Sequence, residues 1–206
     1  MLNEEMLLEA WKSVNKGASA GVDRVKAEEY GKDLEKHIAE VVDNLKGKRY
    51  RVKLIRRVNI PKGDGRTRPL GIPAVSDKLV QMAVAWILMA IYEQDFMGCS
   101  YGYRPKVGAR DAVRDLTKEL QFGRYNYVVE ADIKGYFDSI DHEWLLKMLK
   151  LRIDDRSFIG LIGKWLKAGI LETDGKVVHP ITGTPQGSVV TPFTQKITLN
   201  LNADFH

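Results

Sequence analysis

Residues 127–142 of the chain read YVVEADIKGYFDSIDH, and this stretch decides the fold. Side chains alternate between the two faces of an extended strand, so Tyr127 and Val129 lie on one face while Glu130 and Asp132 lie on the other. A strand that ends at Asp132 has a carboxylate at its last position, on its polar face. The stretch therefore predicts a β-strand whose last residue is Asp132.

A carboxylate in this position is suited to holding a metal ion. Mg²⁺ prefers hard oxygen ligands, and two-metal phosphoryl transfer needs carboxylates that hold ions beside the attacking and leaving oxygens. The alternative is that Asp132 and Asp138 are ordinary acids of a strand end and a turn, where aspartate is common. These residues by themselves leave both interpretations open.

The remainder of the chain predicts helices and two hairpins around this strand. Apolar residues recur with helical spacing over residues 4–14, 26–45, 77–92 and 109–120, after Asp141, and around residues 158–165. Ser76 or Asp77 is a suitable N-cap for the third of these helices. A loop over residues 16–21, a basic hairpin (strand 51–60, turn 61–65, return strand near 68–70) and a second hairpin around Asp174 and Gly175 complete the prediction, with the strand over 127–132.

The positive charge of the chain is concentrated in one segment. The 206 residues carry a net charge of +5. Between Lys46 and Arg68, ten basic residues and one acid, Asp64, give a charge of +9, which leaves −4 for the remainder. Such a segment can attract a polyanion, although an ordinary solvated surface is the alternative.

Several classes of protein are disfavoured by composition. The lone cysteine, Cys99, excludes an internal disulfide and fits a reducing compartment. The four histidines lie too far apart to indicate a ligand cluster, and no apolar run approaches the roughly 20 residues that span a bilayer. We therefore expect a protein of a bacterial-type cytoplasm that has no membrane partner.

Several motifs, in order, resemble those of group II intron reverse transcriptases. Residues 132–142 resemble the first catalytic motif of that family, and residues 183–188 (GTPQGS) resemble its later Pro-Gln-Gly motif. The family's fingers and N-terminal extension are matched by residues 60–62, 68–73, 100–105, 15–17 and 20–23. The resemblance implies an α+β fold with right-hand polymerase-like fingers and palm, in which helices pack on a small antiparallel sheet. Residues 1–125 would form the fingers with an N-terminal extension, and residues 126–206 part of the palm.

The resemblance also implies roles for individual residues. Asp132 would be catalytic and would bind Mg²⁺, or Mn²⁺ in its place, together with the backbone carbonyl of Ile133. Phe137 would lie under the incoming sugar, with a core aromatic as the alternative. Binding of the incoming nucleotide is expected for Lys62, Arg68 and Gln186, and contact with RNA or template is expected for Lys16, Arg56, Arg57 and Arg104.

The chain departs from the family pattern after Gln186. The family places a Tyr-Ala-Asp-Asp hairpin there, whereas the only acid beyond Gln186 is Asp204. We therefore expect fingers and front palm that end before the catalytic site is complete, and that bind RNA or a primer–template without extending the primer. The implied partners are template and intron RNA, a DNA primer, dNTPs and a second copy of the chain. The alternative is a non-catalytic, maturase-like module that binds intron RNA.

Overall fold

The computed structural model describes residues 2–61, 63, 65–184, 187, 189, 191 and 196–197. Within these residues the chain forms helices and a four-stranded sheet. The helices are α1 (Glu4–Ser13), α2 (Ala27–Tyr30), α3 (Leu34–Lys46), α4 (Val75–Tyr92), α5 (Ala109–Phe122), α6 (Tyr136–Ser139), α7 (His142–Lys150) and α8 (Arg156–Leu166). The strands are β1 (Ile55–Pro61), β2 (Thr67–Ile72), β3 (Ile170–Leu171) and β4 (Val177–Val178).

The helix predicted over residues 26–45 is interrupted at Gly31, so that prediction is wrong in one respect. A short 3₁₀ turn separates α2 from α3. The indole of Trp11 lies against Gly31, and a Cβ there would come within 2.9 Å of the ring. The packing of α1 therefore requires glycine, which is a poor helix former, at this position.

The sheet is mixed rather than wholly antiparallel, which corrects the expected topology. Its strand order is β2-β1-β3-β4. The predicted basic hairpin is confirmed, because β1 pairs with β2 in antiparallel register. The second predicted hairpin, β3 with β4, is also antiparallel, but β3 lies parallel to β1. A parallel pair needs a long crossover connection, and here that connection includes α4 to α8.

Helix α4 is the central helix of the hydrophobic core. Leu79, Val80, Ala83 and Val84 are completely buried and belong to the two larger core clusters. With the turn that follows it, α4 forms a segment, Val75–Asp95, long and apolar enough by length and composition to cross a membrane. The expectation that no segment approaches this length was wrong. Just over half of this segment, 56%, is buried inside the fold, as expected for a core helix.

Neither of the two predicted N-caps, Ser76 or Asp77, caps α4, so that prediction is wrong, because both lie within its first turn. Ala74 is the N-cap residue and offers no side-chain hydrogen bond. The buried Asp77 carboxylate accepts hydrogen bonds from the Tyr50 hydroxyl at 2.5 Å and from the Lys53 backbone N–H at 3.1 Å. Burial raises the pKa of Asp77, and these two bonds oppose the increase. Asp77 thereby anchors the segment that leads into β1 to the central helix.

The strand predicted over residues 127–132 is absent, so that prediction is wrong. The segment forms no strand or bridge and is exposed, with 89% of Tyr127 and 88% of Val129 accessible to solvent. A strand needs a neighbour for its backbone N–H and C=O groups. In the described part of the chain, this segment pairs with none of the four strands of the sheet. The division into residues 1–125 and 126–206 stays a prediction.

Candidate active site

The turn that follows Asp132 is joined to residues 182–184 by a set of backbone hydrogen bonds. The Gly183 N–H donates to the Ile140 carbonyl at 2.8 Å, and the Thr184 N–H donates to the Phe137 carbonyl at 2.8 Å. The buried ring of His142 donates from Nε2 to the Gly183 carbonyl at 2.6 Å. Two motifs that are far apart in sequence therefore form one unit.

Close approach in this unit depends on glycine at position 183. Its φ of +84° lies in the left-handed region. A Cβ at Gly183 would lie 2.8 Å from the Asp138 Cα and 2.9 Å from the Phe137 carbonyl oxygen. Because these are backbone atoms, a side chain at Gly183 would force the two segments apart.

Gly187 and Val189, which follow residues 182–184, contact the basic hairpin and the central helix α4. Gly187 has a φ of +101°, and a Cβ there would lie 2.7 Å from the Gly71 carbonyl oxygen of β2. The Val189 N–H donates to the Gln81 side-chain oxygen of α4 at 3.2 Å. The segment therefore holds the turn after Asp132, the basic hairpin and the core helix in one arrangement.

Asp132 is exposed to solvent rather than buried. Ile133 is also exposed, and its carbonyl accepts a hydrogen bond from the Tyr136 N–H at 3.3 Å. Phe137 is half-buried. The described residues contain no group of three His, Cys, Asp or Glu side chains that could hold a metal ion. One carboxylate does not fit a two-ion site, so these residues provide at most part of one.

Two of the predicted RNA-contacting residues have hydrogen-bonding partners inside the fold. The Lys16 ammonium donates to the carbonyls of Trp11 and Val14 at the end of α1 and lies 3.7 Å from the centre of the Trp11 ring. Burial lowers the pKa of Lys16. The Arg56 guanidinium donates to the Ala20 carbonyl at 3.0 and 2.6 Å. Both side chains therefore stabilise the N-terminal segment.

Arg57 and Arg104 also have partners within the described residues. Arg57 forms an ion pair with Glu172 at 3.3 Å, which ties β1 to the end of β3. Arg104 forms an ion pair with Glu93 at 2.8 Å and donates to the carbonyls of Met97 and Ser100, both at 3.0 Å. The RNA contacts predicted for these arginines stay predictions.

The predicted nucleotide-binding residues are only partly placed. Arg68 is exposed on β2, opposite Ile60 in the hairpin register. Lys62 and Gln186 lie outside the described residues, as does Asp204. The structural role of His142 was not predicted, because the spacing of the four histidines bears only on metal binding. Its position directly after Asp141, within the quoted motif, was the available signal.

A family comparison agrees with this arrangement. The profile described as "Reverse transcriptase (RNA-dependent DNA polymerase)" matches residues 60–202, which include both motifs of the joined unit. The chain belongs to the reverse transcriptase family. Members of this family generally use divalent metal ions.

Curated relatives of this reverse transcriptase chain include group II intron proteins. The chain is 39% identical over 188 residues to the "Group II intron-encoded protein LtrA" of Lactococcus lactis subsp. cremoris, covering 90% of this chain and 30% of that protein. It is 37% identical over 190 residues to "Protein YkfC" of Escherichia coli, covering 90% of this chain and 50% of that protein. The resemblance predicted from the motifs is therefore confirmed. The chain spans half or less of the length of these relatives.

One solved structure with a similar fold belongs to a larger assembly. A chain of the "Partial Cas6-RT-Cas1--Cas2 complex" superposes with a TM-score of 0.61 at 20% identity, covering 98% of this chain and 34% of that chain. At this identity the likeness concerns the fold alone. It confirms the α+β fold class expected from the sequence.

Proposed function

We propose that this reverse transcriptase chain is the fingers and front palm of an RNA-directed DNA polymerase of the group II intron type. The observation that carries the proposal is the pair of hydrogen bonds from Gly183 and Thr184 to Ile140 and Phe137, at 2.8 Å each. These bonds bring Gly183 and Thr184, the first two residues of the stretch that resembles the Pro-Gln-Gly motif, beside the turn that follows the exposed Asp132. A polymerase needs this proximity, because the incoming nucleotide must touch both segments at once.

In this proposal the substrates are an RNA template, a DNA primer and dNTPs. Asp132 is one ligand for Mg²⁺ or Mn²⁺, with the Ile133 carbonyl beside it, and further carboxylates of the whole polymerase complete the site. Phe137 lies under the sugar of the incoming nucleotide. Arg68 and Lys62 neutralise its triphosphate, as basic side chains do in phosphoryl transfer, while Gln186 contacts the nucleotide itself.

The remaining partner assignments form part of the same proposal. Lys16, Arg56, Arg57 and Arg104 contact template or intron RNA through the N–H groups that are not used in their internal hydrogen bonds, since an ammonium has three donors and a guanidinium five. A homodimer and a bacterial-type cytoplasmic location complete the proposal.

Binding and extension assays on the 206-residue chain test the proposal. We expect the chain to bind an RNA template annealed to a DNA primer, and to add no nucleotide in Mg²⁺ or Mn²⁺, because one carboxylate cannot hold two ions. Asp132→Asn should leave binding unchanged, since Asp132 is exposed and only metal binding depends on its charge. Templated synthesis by the pure chain would show that the site is complete, contrary to our expectation.

A non-catalytic RNA-binding module is the second candidate function. It is favoured by the absence of a metal-binding group among the described residues. The source DNA downstream of residue 206 separates the two candidates. A Tyr-Ala-Asp-Asp sequence in frame supports the polymerase, and its absence supports the module.

A further inference from the structure

A large basic cleft lies away from the Asp132 turn. Its walls are the segment before β1, residues 48–54, and helices α7 and α8 with the loops that follow each of them. The cleft has a volume of about 1660 Å³, and among the described residues it shares no lining residue with the turn or with 182–184, 187 and 189. We call it the α8 cleft.

The α8 cleft is strongly positive. In the part of the chain that the structure describes, one acid, Asp154, lines it together with seven exposed cations: Lys48, Arg49, Arg51, Lys150, Arg156, Lys164 and Lys167. Arg49 is paired with Asp43, and Lys164 donates to the Tyr50 carbonyl. The other five form neither an ion pair nor a side-chain hydrogen bond with any residue in the described part of the chain. These positive charges surround apolar lining residues such as Ile153, Ile159 and Ala168. Low-dielectric walls of this kind focus the positive field on an anion in the cleft.

The walls of the α8 cleft are held together by Tyr50. The Lys164 ammonium donates to the Tyr50 carbonyl at 2.9 Å, and the Trp165 indole N–H donates to its hydroxyl at 3.4 Å. That hydroxyl in turn donates to the buried Asp77 at 2.5 Å. The cations of residues 48–51 are therefore positioned against α8 before any ligand binds, which reduces the entropy that binding must offset.

One position on α8 indicates close approach by a ligand. Gly160 lies between Arg156 and Lys164 on the helix face that lines the cleft. Glycine is among the poorest helix formers, yet no atom lies within 4 Å of the place where a Cβ would be. Internal packing therefore does not require glycine at position 160. A ligand backbone that lies directly on the helix would require it.

We propose that the α8 cleft binds the phosphodiester backbone of an RNA strand, at a site separate from the template–primer site. Cations on both walls suit a polymer that carries a charge at every residue better than a single anion. Phosphate contacts of this kind bind without reading sequence and depend steeply on salt. The choice of RNA rather than DNA rests on the proposed function.

Matched triple variants of the 206-residue chain test this assignment. The cleft variant is Lys48→Gln, Lys150→Gln and Lys167→Gln. The control variant is Lys26→Gln, Lys32→Gln and Lys36→Gln, which removes the same charge from exposed lysines outside the cleft. Fluorescence anisotropy with a labelled RNA strand, the DNA strand of the same sequence and a poly-glutamate competitor measures binding at several salt concentrations.

We expect the cleft variant to bind RNA on the order of tenfold more weakly than the control variant. Its slope of log K against log salt should be smaller by about 2, since each single-strand phosphate contact contributes about 0.7. Equal losses in the two variants would overturn the proposal, as would a loss confined to the DNA strand or competition by poly-glutamate as effective as by unlabelled RNA. None of these outcomes would affect the proposed polymerase function, which the downstream reading frame tests separately.

Gly160→Ala provides a second test, in which a loss of RNA binding cannot be explained by misfolding. The substitution should leave the melting temperature unchanged or raise it, because alanine favours the helix and has room there. It should also weaken RNA binding severalfold, because the methyl group occupies the space of the RNA backbone. Unchanged RNA affinity in a folded Gly160→Ala chain would contradict the proposed contact.

Discussion

Replacing Gly183 by alanine tests whether the two motifs are held together as the structure indicates. The substitution puts a methyl group at a φ of +84° and within 3.0 Å of backbone atoms of Phe137 and Asp138. Gly175 provides a matched control. Its φ is +87°, and no atom lies within 4 Å of its Cβ position.

The two substitutions differ in one contribution to the free energy of unfolding. The left-handed backbone costs alanine about 1–2 kcal/mol at either position. Overpacking adds about 1–3 kcal/mol, but only at Gly183, because the atoms in its way are backbone. We therefore expect Gly183→Ala to lower the free energy of unfolding by about 2–5 kcal/mol and Gly175→Ala by about 1–2 kcal/mol.

Urea unfolding of both variants measures these changes. Hydrogen exchange should show the local effect, because the Gly183 and Thr184 amides donate to Ile140 and Phe137. Both amides should exchange faster in Gly183→Ala and remain protected in Gly175→Ala. Equal destabilisation by the two substitutions, with both amides still protected, would refute the close packing of these segments.

Three further predictions concern buried and paired groups. Tyr50→Phe should lower the free energy of unfolding by about 1–3 kcal/mol in urea, because the buried Asp77 carboxylate loses its hydroxyl donor. Because burial raises the pKa of Asp77, the folded chain keeps a proton that the unfolded chain has lost. Stability attributable to this group should therefore fall as pH rises above the ordinary aspartate value of 3.8, and Asp77→Asn should flatten that decline in pH-dependent melting. A double-mutant cycle on Arg57 and Glu172, whose pair is partly exposed at 3.3 Å, should give a coupling below about 1 kcal/mol; a larger value would contradict this.

Local patterns in the sequence were sufficient for most of the elements. The N-cap at Asp141 was predicted correctly, and its carboxylate accepts a hydrogen bond from the Trp144 N–H at 2.8 Å. The turn at Asp174 and Gly175 was also correct, since Gly175 has a φ of +87°. Capping and turn formation involve residues within a few positions of one another, so the sequence displays them directly.

Predictions that needed a distant neighbour were less successful. The strand ending at Asp132 has the alternation of a strand but no partner among the described residues. Asp77 has the chemistry of an N-cap but lies buried against Tyr50, 27 positions away. Propensity describes what a segment can do, and packing selects among the options.

The sequence by itself determined the family, the order of the motifs, most of the helices and the concentration of charge between Lys46 and Arg68. Only the tertiary structure decided how that charge is used. It directs Arg56 and Arg57 to partners within the fold and turns Arg51 toward α8. The physical reason is that a basic side chain is bound within the fold when an acceptor lies within about 3 Å of it, and can bind a ligand when none does. Those acceptors come from segments that are far away in the chain.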